Sequence, residues 1–181
     1  GRGAFNSTQK ARLSKTRFFK ENQRAFMLSL CADIWTHARR AKTLGLIPLV
    51  RPNGTSDIPF ENIKIDGRTI FQIFADVQFY DYTKDFSRML KPQAPNYHLT
   101  HSVDERAVTK INAATALNSG KNVAMVFNVK DESELPAEYM GFPVINGDEH
   151  DLTFLHGSGV IVGLKAKGKA KRDNSGFVIQ L

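Results

Sequence analysis

Short apolar runs alternate with helical stripes from residue 9 to residue 128, and this alternation constrains the fold more than any other feature of the chain. Tight turns cannot join parallel strands. Each pair needs a crossover, nearly always right-handed and usually helical. The N-terminal third reads as helix, with Asn6, Ser7 or Thr8 as its cap and a break near Lys20–Asn22. Beyond the break, Met27, Leu30, Cys31, Ile34, Trp35, Ala38 and Ala41 recur at helical spacing, and Gly45 closes the helix. Strands are expected at 46–51, 77–82, 97–102 and 122–128. A weakly helical stretch spans 63–74, and a short helix or turn spans 85–90. Ser102-Val-Asp-Glu105 is a capping-box pattern that opens a helix running to about Leu117, with Gly120 as its stop.

The expected fold class is therefore α/β: parallel strand–helix alternation, as an open sheet or a partial barrel, with a β-rich C-terminal subregion. The chain reads as one domain, 1–181, with an α/β core over 1–130 and the subregion over 131–181. In the subregion PVIN, DLTF, VIVGLKA and GFVIQL read as short strands between Gly-Asp, Gly-Ser-Gly and Asn-Ser-Gly turns. A parallel layer normally opens with a strand, whereas this chain opens with a helix. Either the fold starts unusually, or its first strand and loop lie upstream of Gly1.

Composition narrows the class. The 181 residues are 41% hydrophobic, which suits a soluble domain with its own core. No apolar run is long enough to span a bilayer, and GRGAFNSTQK carries no apolar secretion block. A single cysteine excludes an internal disulfide framework and points to a reducing compartment, the cytoplasm of a host cell. The net charge of +7 favours a polyanionic partner. Two basic clusters carry it: Lys10, Arg12, Lys15, Arg17 and Lys20, and then Lys165, Lys167, Lys169, Lys171 and Arg172. If the second cluster is extended, its four lysines line one face at about 7 Å intervals, a ladder for a single-stranded nucleic-acid backbone. A solvated loop is the other reading of that run.

In parallel α/β folds ligands gather beyond the carboxyl ends of the strands. Those ends supply the ligand-binding candidates Arg51, Asn53, Ser56, Asp57, Tyr80, Tyr82, Lys84 and His98. Two cations, a carboxylate, hydroxyls and an imidazole suit a nucleotide-like ligand. In the Asn53–Asp57 loop, Gly54 permits a close approach of backbone to ligand, while an Asx-type turn binding its own backbone is the alternative. On a strand, Tyr80, Tyr82 and Lys84 share one face and Asp81 and Thr83 the other. His98, His101, His150 and His156, with Asp148 and Asp151, lack a standard metal-ligand spacing, so no metal site is expected. The Gly147–Asp151 stretch reads as a solvated hairpin turn. No nucleophile motif is present, since Ser158 between Gly157 and Gly159 reads as a hairpin tip. Catalytic residues are not assigned, and whether the protein is an enzyme stays open.

Four stretches carry a resemblance: GRGAFNSTQKARLSKTRFF, VRPNGTSDIPFE, VQFYDYTK and GVIVGLKAKGKA. In this order they resemble an uncharacterised phage and mobile-element family labelled as like gene product eighty-eight of a mycobacterial phage. Members of that family typically carry a cysteine-rich segment ending in Cys-Tyr-Ala just before the part resembling GRGAFNSTQKAR. This sequence begins after that point. The family segment is similar to the cysteine loops of radical S-adenosylmethionine enzymes, which follow the first strand of a partial parallel barrel. The resemblance thus implies an iron–sulfur cluster and S-adenosylmethionine only where the cysteine segment is present, and no cofactor for the sequence in hand. Two functions follow as expectations. One is a nucleotide-like ligand cleft on an enzyme-type α/β layer; the alternative is a non-enzymatic phage protein that binds nucleic acid through the lysine ladder.

Overall fold

The computed structural model describes residues 5–181. They separate into two compact units, one ending at Val50 and resuming over Phe60–Gln78, the other comprising Arg51–Pro59 and Phe79–Leu181. Among the described residues are five α-helices and eight strands, a mixed α/β architecture with a mostly parallel sheet and a β-rich C-terminal region.

The first unit opens with α1 (Asn6–Glu21) and α2 (Gln23–Thr43). Asn22 separates them, its side chain accepting from the Ala25 amide at 3.0 Å, and Phe26 packs edge-on against Phe18 and Phe19. The expected caps of α1 are displaced. Phe5 holds the N-cap position, its carbonyl accepting from the Gln9 amide, so Asn6, Ser7 and Thr8 lie inside the helix. On α2 the buried stripe narrows to Met27, Ile34 and Ala41, seven residues apart. Trp35, expected on that stripe, is 53% exposed beneath the Arg39 guanidinium, 4.6 Å from its ring centroid.

The expected strand at 46–51 shrinks to β1 (Leu49–Val50). Leu46 is still tied to the helix end, donating its amide to the Ala41 carbonyl. Pro48 has no amide to offer a ladder, and its carbonyl accepts from the Gln78 amide at 3.1 Å. The expected helix over 63–74 is also broken. Asp66 and Gly67, both at positive φ, make a tight turn between Ile65 and Arg68. Thr69 and Gln72 then form a capping box that starts the single turn α3 (Ile70–Ile73).

The second unit is built on a sheet. Its strands are β2 (Gln78–Thr83, entering from the first unit), β3 (Tyr97–Ser102), β4 (Val123–Phe127), β5 (Glu138–Tyr139), β6 (Phe142–Asn146), β7 (Ile161–Lys165) and β8 (Val178–Ile179). They run in the order β2-β3-β4-β7-β6-β5, with β8 also on β4. Every pair in this path is parallel except β5 with β6. Because β6 lies outside β7, the order is not strictly sequential. Two helices belong to this unit, α4 (Phe86–Met89) and α5 (Ala107–Asn118). A hydrophobic core joins Ala113, Ala116 and Leu117 of α5 to Val123, Met125 and Phe127 of β4 and Ile161 of β7. Burying one of the larger of these side chains contributes about 1.5–3 kcal/mol.

The structure departs from three further expectations. The Ser102–Glu105 capping box does not form. The Asp104 carboxylate instead accepts from the Arg106 amide and the Thr109 hydroxyl, which delays the helix to Ala107. PVIN and VIVGLKA are not linked by a hairpin, since β6 and β7 are parallel neighbours and DLTF gives a 3₁₀ turn at Thr153–Leu155, whereas β5 and β6 are antiparallel across Met140 and Gly141. The lysine ladder is likewise absent. The strand ends at Lys165, Gly168 adopts φ +58°, and Gly168–Arg172 is a 3₁₀ helix. At three residues per turn, positions two apart no longer share a face.

Candidate functional site

The frame beneath the β2 and β3 carboxyl ends is a buried polar cluster. Side chains alternate along β2, so Asp81 and Thr83 point to one face and are fully buried there, while Tyr80 and Tyr82 point to the other and stay half-buried. Asp81 accepts from the Asn53 amide at 3.0 Å, from Asn53 Nδ2 at 2.9 Å and from the Tyr97 hydroxyl at 3.3 Å. Burial dominates its titration and pushes it up to about 6, against the lowering effect of the Asn53 donors and of Arg51 and Arg88. Arg88, 2% exposed, comes from α4. It donates to the Tyr97 hydroxyl at 3.0 Å and pairs with Asp57. Asp57 Oδ2 also accepts from Thr83 Oγ1 and from the Lys84 amide.

This cluster holds the 53–57 loop in shape. Asn53 Oδ1 accepts from Ser56 Oγ at 2.7 Å and from the Ile58 amide at 2.8 Å, an Asx-type closure. The loop, the end of β2 and Ser102 of β3 surround a cavity of about 300 Å³ lined by Arg51, Asn53, Gly54, Thr55, Ser56, Asp57, Tyr82, Thr83, Lys84 and Ser102. The Arg51 guanidinium lies 4.6 Å over the Tyr82 ring and pairs with Asp151, which also accepts from the Tyr82 hydroxyl at 2.8 Å. Burial, reinforced by Asp151, raises the Tyr82 phenol well above its ordinary value, so it remains a donor. Lys84 Nζ stands 3.7 Å from Asp104, whose carboxylate is already engaged by Arg106 at 2.7–3.0 Å. The Arg106 contacts hold Asp104 below the usual carboxylate range.

Six of the eight ligand-binding candidates line this one cavity. Tyr80 lies beside it on β2, its ring 5.8 Å from Phe154. His98 does not join them. As the second residue of β3 it lies at the amino end of the sheet, in a separate cavity of about 260 Å³ with Gln93, Lys121, Asn122, His156 and Ser158. Burial lowers His98 to about 4, so its imidazole is neutral. His101 points to the opposite face of β3 and is buried against Phe86.

Among the described residues no three His, Cys, Asp or Glu side chains are grouped to hold a metal. His150 and His156 stack with ring centroids 5.0 Å apart. The Gly147–Asp151 stretch is an anchor, which corrects the solvated hairpin expected there. The Gly147 amide donates to the Gly163 carbonyl, and Asp148 accepts from the Lys165 amide and from Lys167 Nζ. Lys165 Nζ pairs with Glu132. Lys169, Lys171 and Arg172 are exposed on the 3₁₀ turn, with no carboxylate partner among the described residues.

Sequence reasoning missed Arg88, Asp104, Asn122, Gln93 and the role of Asp151. Only Asp104 carried a local signal, its spacing to Arg106 and Thr109 suiting an Asx turn. No curated protein and no solved structure matches the chain. A family model described as gene product 88 matches residues 1–181, a phage-type family, and no helix among the described residues is long and apolar enough to cross a membrane. The match covers the whole sequence, both of the units described above, and on that ground the chain belongs to the gene product 88 family.

Proposed function

We propose that the cleft at the β2 and β3 carboxyl ends binds a small phosphate-bearing, nucleotide-like ligand. The observation that carries this reading is the convergence of three chain segments, the 53–57 loop, Tyr82–Lys84 and Ser102, on one cavity of about 300 Å³ with two cations at its wall. Asp57 brings no free negative charge to it, because Arg88, Thr83 and the Lys84 amide consume both its oxygens. Lys84 is half exposed and only loosely held by a carboxylate that Arg106 already saturates, so its ammonium is free to turn to a phosphate. Arg51 Nε is buried and has no partner among the described residues.

The role is binding, and no reaction step is assigned. An iron–sulfur cluster needs several thiolates, whereas the sequence has one cysteine, Cys31, half-buried on α2 with its thiol pushed up by burial. The residues present do not fit that group.

The test is calorimetric titration of the full chain with nucleoside monophosphates, nucleoside triphosphates and inorganic phosphate. Saturable binding that Lys84→Ala weakens about tenfold supports the reading, the loss expected for one charge-assisted contact. Absence of binding, or indifference to both Lys84→Ala and Arg51→Met, refutes it. A second reading rests on the exposed Lys169, Lys171 and Arg172, a cationic turn suited to weak nucleic-acid binding that does not read sequence.

A further inference from the structure

We infer that the cavity at the amino ends of β3 and β4 is a second binding site, for a compact neutral heterocycle of the nucleobase type. It is independent of the carboxyl-end cleft and shares no lining residue with it. Four buried side-chain atoms on its lining residues have no hydrogen-bond partner among the described residues: Gln93 Oε1, His98 Nε2, Asn122 Nδ2 and His156 Nε2. Buried polar atoms are nearly always paired, and an unpaired one carries a desolvation penalty that a bound group removes. Nine such atoms occur among the described residues, and four belong to residues that line this one cavity.

The polarity of that wall is set by the other end of each side chain. Gln93 Nε2 donates to the Arg88 and Lys91 carbonyls at 2.8 and 3.1 Å, which leaves Oε1 as an unpaired acceptor. Asn122 is 2% exposed, and its Oδ1 accepts from the Val160 amide at 3.2 Å, which leaves Nδ2 as an unpaired donor. Burial lowers both imidazoles and so favours their neutral forms, each of which supplies a donor or an acceptor as the tautomer requires. A ligand must therefore present both donors and acceptors. Lys121 adds a cation to the lining, but a bare anion would still leave Gln93 Oε1 without a donor. Met89, Leu99 and Phe154 give the cavity apolar and aromatic walls for a flat ring. At about 260 Å³ it lies just below the usual range for drug-sized ligands, which suits a single base.

The experiment is a titration of the ¹⁵N-labelled full chain with adenosine, guanosine, cytidine and uridine, with inorganic phosphate as the comparison. At least one nucleoside should give saturable amide shifts at His98, Lys121, Asn122 and Ser158 and none at Gly54–Asp57, with phosphate inactive at these positions. Asn122→Asp keeps the acceptor for Val160 and removes the donor. It should weaken binding at least about tenfold. Ser158→Trp, at an exposed rim position, should abolish binding with the rest of the spectrum unchanged, and it decides the matter if the Asn122 variant is unfolded. Shifts confined to the 53–57 loop would overturn this inference and leave the carboxyl-end cleft standing. No saturable shift with any nucleoside up to about 1 mM, or binding unchanged in both variants, also overturns it.

Discussion

Asp81→Asn tests whether burial or ion pairing governs the polar cluster under the cleft. Asp81 is fully buried and its carboxyl is raised from 3.8 to about 6. In the unfolded chain it ionises near its ordinary value. Between those two values the native state holds a proton that the unfolded state has lost, so wild-type stability falls as pH rises through the window. At about 1.4 kcal/mol per pH unit, the full effect is about 3 kcal/mol, of which roughly 2 kcal/mol falls between pH 4 and pH 7. The amide of the Asp81→Asn variant has no proton to lose in this range. The stability difference, wild type minus variant, should therefore decrease by roughly 2 kcal/mol from pH 4 to pH 7. Urea unfolding followed by far-ultraviolet circular dichroism at several pH values measures it, and taking the difference cancels the other carboxylates. A flat difference would refute the reasoning. A difference that grows with pH would mean that Arg88 and the Asn53 donors hold Asp81 ionised, the opposite balance of burial and charge.

Three other outcomes follow from the same structure. Arg88→Ala strands Asp57 and takes the guanidinium from the Tyr97 hydroxyl, so it should cost about 3–5 kcal/mol in urea unfolding, whereas Lys84→Ala should change stability by less than about 1 kcal/mol. Gly163→Ala would put a Cβ 2.7 Å from Val144 Cγ1 and 3.2 Å from Leu135 Cδ2 in the middle of β7; a loss of about 1–3 kcal/mol is expected from overpacking, and an unchanged unfolding midpoint would contradict the packing of β6 on β7. Replacing Lys169 and Lys171 with glutamate should abolish weak binding to labelled single-stranded DNA at low salt, where three cations predict a logarithmic salt slope of roughly −2; binding unaffected by the charge reversal would remove the second functional reading.

The strand–helix order and the alternation of β2 were legible because both are local. A crossover follows from parallel pairing, and the two faces of a strand follow from a period of two, so Tyr80 and Tyr82 separate from Asp81 and Thr83 before any coordinates are known, whereas Lys84 lies beyond the end of β2. Six of the cleft residues were legible for the same reason, since loops after consecutive parallel strands gather at one end of the sheet. His98 was assigned to the wrong end, although its place as the second residue of its strand was there to be read. What tertiary structure alone decided is which face of each element is buried and which charge meets which. Arg88 sits in an unremarkable Asp85-Phe-Ser-Arg stretch, and its burial depends on Asp57 and Tyr97 arriving from 31 and 9 residues away. The lysine run is periodic in the sequence, yet Asp148 and Glu132 capture its first two members and a 3₁₀ turn rotates the rest. Local periodicity sets what a segment can present, but a buried charge is placed by partners distant in the chain, because only a folded interior makes an unpaired charge too costly to keep.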